Sequence, residues 1–346
     1  MLLGGEPEDV EVASEPDGPL RPTLESTTTA PPPTTAPTIT RHVSLAGDDG
    51  GDGTAARPWR TLQHSFESLQ AGDTLAVGGG TYKERLRDLE LRGGSAERPI
   101  VVEPVAGERV VIEGLLWLED ADHWTVRGIN VTWSGENRKS EHMVKLTGGT
   151  RWSFVDAEVW DARSFAAILV AGEAKDYRLS GLYVHDTHKS NGRNEDHLIY
   201  LNSGTGGGVV ERNVLANSPN GRAIKIGPGE KNDGDVANVT IRYNTMYRNL
   251  GPSNIQLAWN VSDVEIYRNV FVEPEPDRAN VTAFELSGDG NVVRDNVGWG
   301  GATVVDAAKG MRDAGGNVVV DPLLADPDNG DFTVTSEQAK AYGKDA

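Results

Sequence analysis

The chain has 346 residues, 41 of them glycine, with 6% aromatic side chains and a formal charge of −19. That charge argues against a nucleic-acid-binding protein, and the lack of cysteine excludes disulfides and thiolate metal sites. No apolar run reaches the roughly 18 residues of a transmembrane helix.

Residues 1–40 contain the Thr/Pro-rich run ESTTTAPPPTTAPTIT, which cannot pack a core and is expected to be a disordered stalk or linker. An extended stalk of this kind points to export, so the protein is expected outside the cell, secreted or surface-anchored through that stalk. Residues 41–346 are expected to form one turn-rich domain. Near its start, Thr61 is placed to cap a short helix whose Leu62, Phe66 and Leu69 share one face. Ala71-Gly72-Asp73 stops the helix, Thr74–Val77 reads as a strand, Gly78-Gly79-Gly80 as a turn, and Tyr82 opens the next element. A solenoid needs its open end covered, and a short amphipathic helix does that.

Two staggered repeats follow. Six segments, MVKL, AILV, LIYL, AIKI, NIQL and AFEL, align on the apolar pairs Val144/Leu146, Ile168/Val170, Ile199/Leu201, Ile224/Ile226, Ile255/Leu257 and Phe284/Leu286. Alternation with period 2 puts each pair on one face of a strand. No single short unit can bury such a pair alone, so the units must stack. Four further segments carry Asn213, Asn244, Asn269 and Asn296 at one phase, spaced 31, 25 and 27 residues apart. Spacings in this range mark solenoids and propellers, and short β-branched runs broken by Gly, Asn and Asp predict an all-β right-handed parallel β-helix with a short N-terminal capping helix. A stacked Asn amide both donates and accepts, so the four are expected to form an Asn ladder inside a turn. The upper coils carry Ile129, Ala157 and Leu182 at that phase, which confines the ladder to the lower half.

The stretch VSLAGDDGGDGTAARPWRTLQHSFESLQAGDTLAVGGGTYKERL, residues 43–86, resembles the start of secreted right-handed parallel β-helix proteins of the pectate-lyase-like superfamily, whose usual form is G-x-D-G-(S/T)…P-(W/F)-x-T-(I/L)-Q…G-D-T-(I/L)…G-x-Y. The matching residues are Gly51, Asp52, Gly53, Thr54, Pro58, Trp59, Thr61, Leu62, Gln63, Gly72, Asp73, Thr74, Leu75, Gly80 and Tyr82. The tail DPLLADPDNGDFTV resembles that superfamily's closing segment, so the resemblance spans about residues 42–335. It implies the fold and a polysaccharide partner. It does not choose among lyases, epimerases, glycoside hydrolases and proteins without activity.

The residue between each apolar pair forms an outward column, Lys145, Leu169, Tyr200, Lys225, Gln256 and Glu285. Three residues earlier lie His142, Ala166, His197, Arg222, Ser253 and Thr282. Successive coils therefore present His197 with Tyr200 and Arg222 with Lys225, about 4.8 Å apart along the axis. Beside them, the polar loop of residues 185–196 holds His185, His188, Lys189 and Arg193. Two cations next to two proton-transfer groups suit β-elimination on a uronic acid, which needs its carboxylate neutralised, a base at C5 and an acid at the leaving oxygen. His197, Tyr200, Arg222 and Lys225 are the expected catalytic group. Lys145, His185, His188, Lys189, Arg193 and Gln256 are the expected substrate contacts. A monomeric lyase on an acidic polysaccharide is the leading expectation. A C5-epimerase shares its first step. A hydrolase would need paired carboxylates, and neither Asp233/Asp235 nor Glu195/Asp196 forms a clear pair. A non-catalytic glycan-binding or surface protein is the rival, with Trp133, Trp160 and Trp259 as its platforms. No cofactor is specified. Ca²⁺ is the metal that the acidic loop Asp48-Asp49-Gly50-Gly51-Asp52 leaves open.

Overall fold

The structure is a computed structural model describing residues 39–188, 195–231 and 233–346. The stalk up to residue 38, together with Lys189 and Arg193, lies outside the described residues. The first strand is Ile39–Val43, so residues 39 and 40, assigned to the stalk by composition, already pair in register with Asp73 and Thr74.

Three long sheets of 11, 10 and 9 strands run the length of the domain, and every neighbouring pair in them is parallel and joined by a crossover. The chain is a parallel β-solenoid. One coil shows the construction. Gly206–Glu211 lies in the 11-stranded sheet, Val214–Ala216 in the 10-stranded sheet and Ile224–Ile226 in the 9-stranded sheet. The first bend is made by Arg212, whose φ of 55° turns the chain in the left-handed region. Tyr243, Arg268 and Asp295 make the same bend in the coils below, at φ 56°, 55° and 51°.

Behind each of these bends stands a buried Asn. Asn213 Nδ2 donates to Asn244 Oδ1 at 2.9 Å, Asn244 to Asn269 at 2.9 Å, and Asn269 to Asn296 at 3.0 Å. The series ends on Asn317, which accepts from Asn296 Nδ2 at 3.0 Å. The same Oδ1 atoms accept backbone N–H groups, as in Asn244 Oδ1 with Asn213 N at 3.1 Å. Polar turn backbone is thereby satisfied inside the solenoid wall.

The core is aliphatic and follows the predicted columns. Val144, Ile168, Ile199, Ile224 and Ile255 stand in register and are buried. The sixth predicted pair is displaced by three residues. Ile255 and Leu257 pair with Val281 and Ala283. Phe284 is 46% exposed, and Thr282, not Glu285, follows Gln256 in the outward column. Apolar residues alternate at Ala279, Val281 and Ala283 and again, in the opposite phase, at Phe284 and Leu286, so each of two frames satisfies period 2, and the ladder selects the one that buries Val281.

The single α-helix among the described residues, Leu62–Ser68, buries Leu62, Ser65 and Phe66. Thr61 Oγ1 accepts from His64 N at 3.2 Å. The Glu84 carboxylate accepts from Leu62 N at 2.9 Å and Gln63 N at 3.0 Å, using the unsatisfied donors of the first turn. No helix among the described residues is long and apolar enough to cross a membrane.

Candidate active site

The outer face of the 9-stranded sheet carries the candidate site. Parallel register stacks Trp117, Lys145, Leu169, Tyr200, Lys225, Gln256 and Thr282, one per coil. At the centre, Lys225 Nζ lies 3.4 Å from the Tyr200 hydroxyl and 4.6 Å from the centroid of its ring. The Tyr200 oxygen also accepts from Asn202 Nδ2 at 2.8 Å. Burial, and then the Arg222 charge, push the Lys225 ammonium down to about 8. Burial pushes the Tyr200 phenol up, with Asp233 adding to the rise against the Asn202 hydrogen bond. At neutral to mildly alkaline pH the pair is therefore a readily deprotonated amine beside a protonated phenol.

Beneath this pair the side chains are buried. Arg222 places Nε 3.1 Å from Ser253 Oγ, which in turn accepts from Thr282 Oγ1 at 2.9 Å. His197 is held neutral, its pKa lowered well below the usual histidine value by burial and then by Arg222, Lys225 and His142. Its Nδ1 accepts the Arg222 backbone N–H at 3.1 Å, and its ring packs edge-on to Tyr200 at 6.0 Å. With Nδ1 engaged, His197 supports the Arg222 strand and the Tyr200 ring.

The predicted set is thus brought together in part. His197, Tyr200, Arg222 and Lys225 form one cluster, with Gln256 directly below Lys225 and Lys145 higher in the same column. His185 sits on the neighbouring 10-stranded sheet. It stacks on Tyr183 at 3.8 Å, and its ring nitrogens meet Asp186 at 2.7 Å and Glu158 at 3.1 Å. His188 is bonded to Asp161 on that side.

Trp117 was not among the predicted residues, and Trp259 was expected only as a platform of the non-catalytic glycan-binding rival. Trp117 continues the column upward, with Lys145 Nζ 4.8 Å and Arg87 Cζ 5.0 Å from its ring. The alternation in LLWLE would have found it. Trp259 lies 5.9 Å from Lys225 Nζ and edge-on to Phe284 at 5.8 Å. It has φ 57°, at the turn position held by Gly148 and Gly172 in the upper coils, a backbone region a bulky residue rarely enters.

The acidic loop weighed for Ca²⁺ spends its oxygens locally. Asp49 accepts from Arg60 N at 2.8 Å, Thr61 N at 3.0 Å and Thr61 Oγ1 at 2.8 Å, and Asp52 accepts from Thr54 N and Oγ1. Among the described residues no group of three or more His, Cys, Asp or Glu is placed to hold a metal.

No protein-family model matches the chain. Over 73 residues it is 40% identical to the uncharacterized protein YwoF of Bacillus subtilis, and over 103 residues 27% identical to pectate lyase PEL9 of Emericella nidulans. These matches cover 21% and 24% of this chain, and only 15% and 25% of the lengths of those two relatives. Among solved structures, a glycoside hydrolase superposes with a TM-score of 0.57 at 10% identity, covering 88% of this chain and 98% of that one. XylC in complex with xylose gives 0.56 at 13% identity over 82% and 68%. Pectate lyase Pel9A gives 0.50 at 10% identity over 89% and 87%. The parallel β-solenoid is therefore a fold this chain has in common with pectate lyase and glycoside hydrolase structures.

Proposed function

We propose that the protein is an exported polysaccharide-active enzyme that cleaves a uronic-acid polymer by β-elimination at Lys225. The observation carrying this reading is a lysine with its pKa pushed down to about 8, in contact with a tyrosine hydroxyl and next to a buried arginine. A base poised near the working pH transfers protons best. The Thr/Pro-rich amino-terminal stretch supports export.

The neutral Lys225 amine takes the C5 proton of the uronate. The electron pair left on C5 forms the C4–C5 double bond as the C4–O bond breaks, and the Tyr200 phenol protonates the departing oxygen. Arg222 supplies positive potential that draws in the carboxylate and favours charge build-up on it. Trp117 and Lys145 continue an aromatic and cationic track along the sheet, suited to an acidic chain lying along the axis, while Arg87 on the Trp117 ring is paired with Asp88 and Glu141.

The test is ultraviolet absorbance of the conjugated, unsaturated uronate end while the protein is incubated with polygalacturonate, alginate and glucuronan. A rise with the wild type that is absent with Lys225→Ala supports the reading. A rise that survives Lys225→Ala removes Lys225 as the base, and no rise on any of the three removes the lyase assignment for these substrates.

A further inference from the structure

The turn leaving the 10-stranded sheet borders a cavity of about 610 Å³. Its wall is part apolar, from Trp160 and Leu250, and part polar, from Asp161, Asp186 and Asn217. Trp160 pairs with His185 and His185 with Ala216 in the ladder, so Asp161, Asp186 and Asn217 occupy one turn position in three successive coils, about 4.8 Å apart. All three are in the left-handed region, at φ 63°, 53° and 60°. Asn217 Nδ2 donates to Asp186 Oδ1 at 2.9 Å, and Asp186 Oδ2 meets His185 Nδ1 at 2.7 Å, which fixes the Asp186 carboxylate. The Arg109 guanidinium lies 5.5 Å from the Trp160 ring.

The geometry points to a second saccharide site here, separate from Lys225 and specific for neutral sugars. A pyranose offers an apolar C–H face and a rim of hydroxyls. An indole beside planar carboxylate and amide groups answers both, in the manner of sites built from apolar walls with a few placed polar groups. The charge balance selects against an acidic sugar. Two carboxylates line the cavity, and its arginine, Arg248, is already engaged by Glu273 and Asp328, while the His188 ring bonds to Asp161. The site does not depend on the β-elimination reading. It would hold an uncharged stretch or branch of polymer on the face next to the Lys225 column.

Isothermal titration calorimetry with cellohexaose, xylohexaose, maltohexaose and trigalacturonate tests this on the full chain. At least one neutral hexaose is expected to bind, with affinity reduced about 10-fold or more in Trp160→Ala and in the near-isosteric Asp186→Asn, and unchanged in Lys225→Ala. Circular dichroism verifies that each variant is folded. Should Trp160→Ala fail to fold, Asp186→Asn alone decides. The proposal is overturned by no neutral binding at millimolar concentration, by unchanged affinity in folded Asp186→Asn, or by an equal loss in Lys225→Ala, which would put the sugar at the Lys225 column. Tighter binding of trigalacturonate that is weakened by Trp160→Ala or Asp186→Asn would also overturn it. Loss of lyase activity alone leaves these binding results unaffected.

Discussion

Lys225 is an ammonium in surroundings that disfavour the charged form. Its folded value of about 8 lies below the ordinary 10.5, so between those pH values the unfolded chain binds more protons than the folded one. Stability from this group therefore rises as pH climbs from about 8 to about 10.5, and the cost of burying the charge is present in full below 8. Activity should follow the free amine, rising through pH 8 and levelling off until the raised Tyr200 phenol ionises. Lys225→Met should lower kcat by about 10²–10⁴-fold. It should also raise the melting temperature at pH 7 and flatten the alkaline rise in stability. Thermal melts from pH 7 to 10.5 on both proteins decide it. A variant that melts lower at pH 7, or keeps the alkaline slope, would show that Lys225 is not the strained group.

At the scale of the strand and turn, the buried asparagines act through their neighbours. Asn244 Nδ2 donates to Val210 O at 2.9 Å and to Asn269 Oδ1 at 2.9 Å, while its Oδ1 serves Asn213. Asn244→Leu keeps the branched shape, removes these bonds and strands polar groups in two adjacent coils. At about 1–3 kcal/mol for each unsatisfied group, a loss of several kcal/mol is expected in urea unfolding, and a loss under about 0.5 kcal/mol would mean water reaches the turn. Asn213 through Asn296 were legible because one polar residue recurs with apolar residues on both sides, and Asn317 was missed because Gly315-Gly316 precede it and it follows Asn296 by only 21 residues. Five apolar pairs were legible because each repeats at a steady phase, and the sixth slipped because two alternations of opposite phase meet at Ala283-Phe284 and period 2 does not choose between them. Tyr200 and Lys225 could be placed together because ladder register alone sets their proximity. The direction of the His185 side chain could not be read, because it depends on which sheet the strand joins and on partners, Glu158 and Asp186, that no repeat announces.

Across the whole molecule, two opposing effects of acid compete, and their balance is measurable. The formal charge is −19, so lowering the pH from 7 relieves self-repulsion and should stabilise the fold. Against this stand two neutral histidines, His197 buried and His142 half-buried. Burial pushes His142 down to about 4 from 6.5, and His197 lies well below 6.5. Below pH 6.5 the unfolded chain takes up protons at both positions while the folded chain does not, so stability falls until each folded value is reached, by up to about 1.4 kcal/mol per proton per pH unit. For His197 the charged and titratable groups facing it are Arg222, Lys225 and the neutral His142, and protonating Nδ1 would also end its bond to the Arg222 backbone. The histidine effect is local and desolvated, whereas the repulsion is spread over an exposed surface and screened within about 8 Å at physiological salt. The histidines should therefore win, with unfolding free energy in urea dropping between pH 6.5 and 5 at 0.15 M salt. His197→Gln should roughly halve that slope. A flat or rising stability over the same interval would mean that surface repulsion dominates and that these two sites open to water before they titrate.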